Sequence, residues 1–154
     1  MVARGRSIPK ELPHRMPFFS RKKTNISHLG ASITAVKIDG RSIPVEVVST
    51  KAAIDKGLSQ RAYLEASAGM LFLFDHTARF RFWMRKMLFP LDIVWIGEDM
   101  KIVDITKNVP PLPDDAEALF YSPEVPAMYV LEVNANFCDT QGIHLGDTVE
   151  FVTP

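Results

Sequence analysis

The sequence predicts a mainly β protein, a small single-domain barrel or sandwich of about seven to eight short strands with one or two short helices. Three observations point there. From Ala31 onward apolar residues recur with a period of two, the spacing of a half-buried strand. Turn-forming residues punctuate the chain about every 8–12 residues, as in small barrels and sandwiches. Helical signals are convincing only twice, and both are short.

The elements follow in order. Ile33, Ala35 and Val36 lead into Asp39-Gly40, a hairpin signal because both turn positions accept positive φ. The return strand carries Ile43, Val45 and Val47, with Pro44 marking an edge strand or a bulge. Ser49 or Thr50 caps a helix from Lys51 to Lys56 that stops at Gly57. The run Gly69 to Phe74 is apolar on both faces, as a covered central strand requires. Further strands are expected at 79–85, 90–96, 100–105, 127–133 and 148–153, with a tight turn at Gly97-Glu98-Asp99. Asn134 is placed to cap a second helix, Ala135 to Gln141, which Gly142 would end.

Composition narrows the class. The 154 residues are 47% apolar and 23% charged, close to average usage, which excludes global disorder and fibrous repeats. The longest apolar run falls far short of the roughly 20 residues that span a bilayer, so no membrane span is expected. No secretory signal is seen either, so the cytoplasm is the expected compartment. The single cysteine, Cys138, cannot form an internal disulfide or a thiolate metal cage, and it reads as a small buried hydrophobe. Residues 1–30 carry seven Lys or Arg against one acid, and the remaining chain carries 11 basic against 17 acidic residues. The expected organisation is a flexible basic N-terminal arm over 1–30 and one β-rich domain over 31–154. A basic arm before an acidic domain is not the balance of a nucleic-acid binder, so nucleic acid is not an expected partner. Nothing in the sequence specifies an oligomeric state.

The most informative stretch runs from Arg79 to Ile96. If 79–85 is extended, Phe80, Phe82 and Met84 take one face and Arg81, Trp83 and Arg85 the other. A four-residue loop over Lys86 to Phe89 would then set Trp83 opposite Asp92, with both arginines as diagonal neighbours of that carboxylate. Asp92 interrupts an otherwise apolar run from Pro90 to Ile96, so it must be paired or hydrogen-bonded. It would either pin the strand register as an ion pair or join Arg81, Trp83 and Arg85 as the floor of a ligand pocket. The loop Thr106 to Glu117, stiffened by Pro110, Pro111 and Pro113, could lid such a pocket. Its acids Asp114, Asp115 and Glu117 fit the start of a helical turn better than a metal site. His76, in the turn before 79–85, is within possible reach of the pocket. No nucleophile-elbow, phosphate-loop or dinucleotide fingerprint occurs, so no cofactor is expected.

Six motifs recur in an order that resembles a known family. They are Gly57-Leu58-Ser59-x-Arg61, Gly69-Met70-Leu71-Phe72-x-Phe74, Phe82-Trp83-Met84-Arg85, Pro90-Leu91-Asp92-Ile93, Tyr129-Val130-Leu131-Glu132-Val133 and Gly142-Ile143-x-x-Gly146-Asp147-x-Val149. Together they resemble the domain-of-unknown-function 192 family over roughly 45–153. The resemblance implies a compact β-rich domain, often exported, with no established activity. Ser59 stands where the family usually has Met, and Lys86-Met87 where it usually has Asn-Thr.

Three readings compete. The preferred one is a ligand-binding or accessory module whose pocket, lined by Arg81, Trp83, Arg85 and Asp92, takes a small anionic or sugar-like ligand. The second is a hydrolase or lyase using Asp92 and Glu132 as an acid/base pair. The third is a protein-interaction domain that adds a partner strand along an exposed edge, Arg41 to Val48.

Overall fold

Asp39 and Gly40 sit at φ 46° and 86°, the paired positive values of a tight hairpin turn, and they join β1 (Ala35–Ile38) to β2 (Arg41–Val48). The computed structural model describes residues 30–154; the arm expected over 1–30 lies outside the described residues but for Gly30. Thr50 Oγ1 accepts the Ala53 N–H at 3.3 Å and caps α1 (Lys51–Lys56), which ends at Gly57 with φ 46°. This helix is the crossover to β3 (Gly69–Ala78), which lies parallel to β2. The chain continues through β4 (Leu91–Ile96), β5 (Ile102–Val109), β6 (Ala127–Asn134), α2 (Phe137–Gln141) and β7 (Val149–Val152).

The seven strands form one sheet in the order β5-β4-β6-β3-β2-β1-β7. Its two edges approach each other at one end. Lys101 bridges Thr148, and the Ile102 N–H donates to the Asp147 carbonyl at 3.0 Å. The sheet is therefore a curled half-barrel with two short helices, as the strand pattern predicts. One face buries Val36, Ile38, Leu71, Val94 and Leu131. The other buries Met70, Phe72, Ile93, Trp95 and Val130 beneath Leu58, Met84 and Met87. β4 and β6 are covered on both faces, which explains why Leu91–Ile96 is buried throughout.

The expected strand over 79–85 is not a strand. Both edges of β4 are already taken, by β5 and β6, so 79–85 has no place beside 90–96. It runs instead against the loop over 110–126. Phe82 and Tyr121 exchange backbone hydrogen bonds at 2.9 and 2.8 Å, and the Leu112 N–H donates to the Met84 carbonyl at 3.0 Å. Side-chain bonds from Ser122 to the Phe80 carbonyl and from Arg79 to the Pro123 carbonyl fasten the two further. The expected lid is thus a bound strap, and its first residues, through Val109, belong to β5.

Two smaller expectations also change. Asn136, not Asn134, occupies the cap position of α2, with φ 66°; Asn134 donates to the Leu64 and Glu65 carbonyls instead. The Arg41–Val48 segment is not a free edge, because β1 pairs Arg41 to Pro44 on one side and β3 pairs Val45 to Val48 on the other, and neither side is open along its whole length for a partner strand. Pro44 is tolerated there because β3 begins pairing only at Val45, so the missing N–H interrupts no ladder bond to that strand.

At Gly69 β3 runs close against β6. A Cβ there would meet the Glu132 carbonyl oxygen at 2.8 Å and Leu131 Cδ1 at 2.9 Å. Gly69→Ala is expected to destabilise the domain by about 1–3 kcal/mol, the usual effect of overpacking. Urea unfolding would read it as a lower midpoint at unchanged slope.

Candidate functional site

Strand alternation aims Asp92 away from the arginines. It stands opposite Val133 in the β4–β6 ladder, whereas Ile93 stands opposite Glu132, so the two acids occupy opposite faces of the sheet. Asp92 is fully buried. Its carboxylate accepts the backbone N–H groups of Asn108 at 2.8 Å, Cys138 at 3.0 Å and Asn136 at 3.3 Å. The Cys138 N–H lies in the first turn of α2, whose cap residue forms no side-chain hydrogen bond, so a strand residue caps this helix from across the fold. Asp92 is neither ion-paired to Arg81 and Arg85 nor part of a pocket beside them. The acid/base pair of Asp92 and Glu132 falls as well, since the sheet stands between them.

The alternation expected over 79–85 survives without the strand. Phe82 and Met84 turn inward, where Phe82 packs edge-on against Phe72 and Trp95 at 5.0 and 5.3 Å. Arg81 and Trp83 face outward, Trp83 with 44% exposure. The outer residues form a stack with a strap residue. The Arg81 guanidinium lies 3.9 Å over the Phe120 ring, Phe120 stacks on Trp83 at 5.6 Å and 12°, and the Arg85 guanidinium lies 5.0 Å from the Trp83 ring centre. Such cation–π contacts hold flat groups in place at the surface. Arg85 Nε is buried and makes no hydrogen bond, so Arg85 supports the indole from behind.

Beside this stack opens a cleft of about 490 Å³ with the open solvent at its mouth included. Leu58, Phe72, Phe82 and Met87 give it apolar walls, Glu132 lies within it, and Asp55, Lys56, Ser59, Arg81 and Trp83 complete the lining. Glu132 is only 6% exposed. Its ladder neighbours on the same face are Met70 and Ile93, neither of which can solvate a charge. Among the described residues it has no hydrogen-bond or ion-pair partner, and burial pushes its pKa up to about 8. The carboxyl is therefore neutral at pH 7, able both to donate and to accept a hydrogen bond.

Of the sequence candidates, the fold brings Arg81, Trp83 and Glu132 to one cleft, places Arg85 behind Trp83, and removes Asp92 to the other face. The wall after α1 was missed, although Gly57-Leu58-Ser59 is one of the six motifs. Phe120 was missed too, although Leu119-Phe120-Tyr121 is an apolar triplet in a polar loop. His76 does not reach the cleft: it is exposed, with Nδ1 2.6 Å from Asp75 Oδ1. Cys138 is the buried hydrophobe expected, its thiol pushed up to about 12 by burial and the Asp92 charge. Among the described residues no cluster of His, Cys, Asp and Glu is placed to hold a metal ion, and no helix is long and apolar enough to cross a membrane.

These features define a class: a curled seven-stranded half-barrel with an acid-floored cleft beside a guanidinium–aromatic stack. The chain belongs to the DUF192 family, described as Uncharacterized ACR, whose profile matches residues 34–151. It is similar to a protein of unknown function from Novosphingobium aromaticivorans DSM 12444, with 32% identity, a TM-score of 0.71 and coverage of 77% of this chain and 85% of that one. It is also similar to a protein from Sinorhizobium meliloti 1021 named as a proposed transcription regulator, with 30% identity, a TM-score of 0.69 and coverage of 76% and 92%. No curated protein matches the chain.

Proposed function

We propose that this protein is a small-molecule binding module whose site is the cleft between α1, β6 and the Arg81–Met87 segment. The observation that carries the reading is Glu132, a buried carboxyl without a partner among the described residues that lies in an open cleft. Buried polar groups are otherwise satisfied by their own protein, so an unsatisfied one in an accessible hollow suits a ligand. The apolar walls and few polar groups match the general composition of small-molecule sites. Trp83 lines the mouth, Arg81 adds a cation, and Phe120 and Arg85 hold Trp83 in place by stacking on it. Asp92 has no part in this reading.

The test is a thermal-shift screen of a small-molecule library on wild type and Trp83→Ala in parallel. A ligand at 100 times its Kd stabilises by about 2.7 kcal/mol, a rise of about 5–10 °C for a domain of this size. Trp83 is half-exposed, so its truncation leaves the core intact and should cut the shift by half or more. Equal shifts in both proteins would remove the cleft from consideration.

A further inference from the structure

The cleft's charges and dimensions restrict what it can take, and the argument here rests on the binding-module reading above. Water-sized space inside amounts to about 100 Å³, several waters' worth, enough for a small organic group but not for a drug-sized molecule. The charged residues facing Glu132 are few. From α1 come Asp55 and Lys56, from the Arg81–Met87 segment comes Arg81, the β3 and β4 neighbours Met70 and Ile93 are apolar, and beyond Met70 on the same face Glu46 of β2 is paired to Arg61 at 2.7 Å. Asp55 is already engaged by Lys51 at 2.5 Å. Lys56 and Arg81 form no ion pair among the described residues, and Arg81 rests only on the Phe120 ring. The mouth therefore presents two cations without a direct ion pair and one neutralised acid; the Arg61 hydrogen bond and, more weakly, the nearby Lys56 charge lower the Glu46 pKa.

We propose that the site binds a small organic carboxylate, which enters anion first, accepts a hydrogen bond from the protonated Glu132 carboxyl, and lays its remaining carbon skeleton against Trp83. The cations at the mouth attract such an anion and disfavour an amine. A carboxylic acid donating to a carboxylate makes a short, charge-assisted hydrogen bond, and it gives Glu132 the partner that the described residues do not supply. An ionised Glu132 would instead set two like charges together in a poorly solvated hollow. Binding and protonation are therefore coupled. With Glu132 titrating at about 8, affinity holds below that pH and falls about tenfold per unit above it.

Isothermal titration with benzoate, benzyl alcohol and benzylamine at pH 7 and pH 9 tests this. Benzoate should bind at least about tenfold more tightly than either other probe, and its Kd should rise about tenfold from pH 7 to pH 9. Glu132→Gln keeps a donor of the same size that does not titrate, so its benzoate Kd should be equal at the two pH values. Preference for benzylamine, a pH-independent Kd in wild type, or a slope that persists in the Gln variant would each overturn the assignment. If none of the three probes binds while Trp83-dependent library ligands are found, the carboxylate assignment falls and the binding module stands. If the library also yields no Trp83-dependent ligand, both fall.

Discussion

Asp92→Ala should lower the unfolding free energy by on the order of 2–5 kcal/mol, a large loss for one polar side chain. The mutation removes one carboxylate and leaves two N–H groups without their acceptor, those of Asn108 and Cys138, while the Asn136 N–H keeps Asn108 Oδ1 at 3.0 Å. A buried donor stripped of its partner costs about 1–3 kcal/mol. The two donors lie on separate stretches of chain, so the loss loosens the end of β5 and the start of α2 together. Asp92→Asn retains one acceptor oxygen but turns an amide NH₂ toward a backbone donor, and it should lose about half as much. Urea titrations of the three proteins decide the matter. A loss below about 1 kcal/mol for the alanine variant would show that these bonds contribute little.

The second large effect is the pH dependence that Glu132 imposes on stability. In the unfolded chain its carboxyl titrates near 4.5, and in the folded domain at about 8. Between those values the folded protein holds a proton that the unfolded chain has released, so stability falls as pH rises. The decline is complete once pH passes 8 and absent below 4.5. At 1.36 kcal/mol per unit the full span is on the order of 4–5 kcal/mol. Glu132→Gln lacks this titration. It should match wild type in stability near pH 4 and exceed it progressively toward pH 9, by up to that amount. Urea unfolding of both proteins across this pH range isolates the contribution, since every other group titrates alike in the two. A constant difference across the range would mean that Glu132 is ionised in the folded protein at neutral pH.

Much of this architecture can be read along the chain because it depends on local rules. The Asp39-Gly40 hairpin, the Thr50 cap, the Gly57 and Gly142 helix ends and the apolar Gly69–Phe74 strand each follow from residues within a few positions of one another. The inward turn of Phe82 and Met84 against the outward turn of Arg81 and Trp83 follows from alternation alone. The motif order likewise places the chain in its family over nearly the whole described length.

Pairing partners are another matter. Reading 79–96 as a hairpin treats neighbours in sequence as neighbours in the sheet, whereas β4 takes β5 and β6 as partners and leaves 79–85 to the strap. With no pairing between 79–85 and β4, nothing sets Asp92 opposite Trp83: it points to the other face of the sheet, and Glu132 faces the cleft instead.

Both acids interrupt apolar runs, and local chemistry shows only that each requires a partner. Which one the fold satisfies and which it leaves open depends on contacts between residues tens of positions apart: Asn108, Asn136 and Cys138 converge on one carboxyl, and Leu58, Phe82 and Met87 wall in the other. Local propensity sets the strands, turns and caps, because each is an energy of adjacent residues. The division between a structural acid and a ligand-facing acid arises from long-range pairing, whose energies no short window of sequence contains.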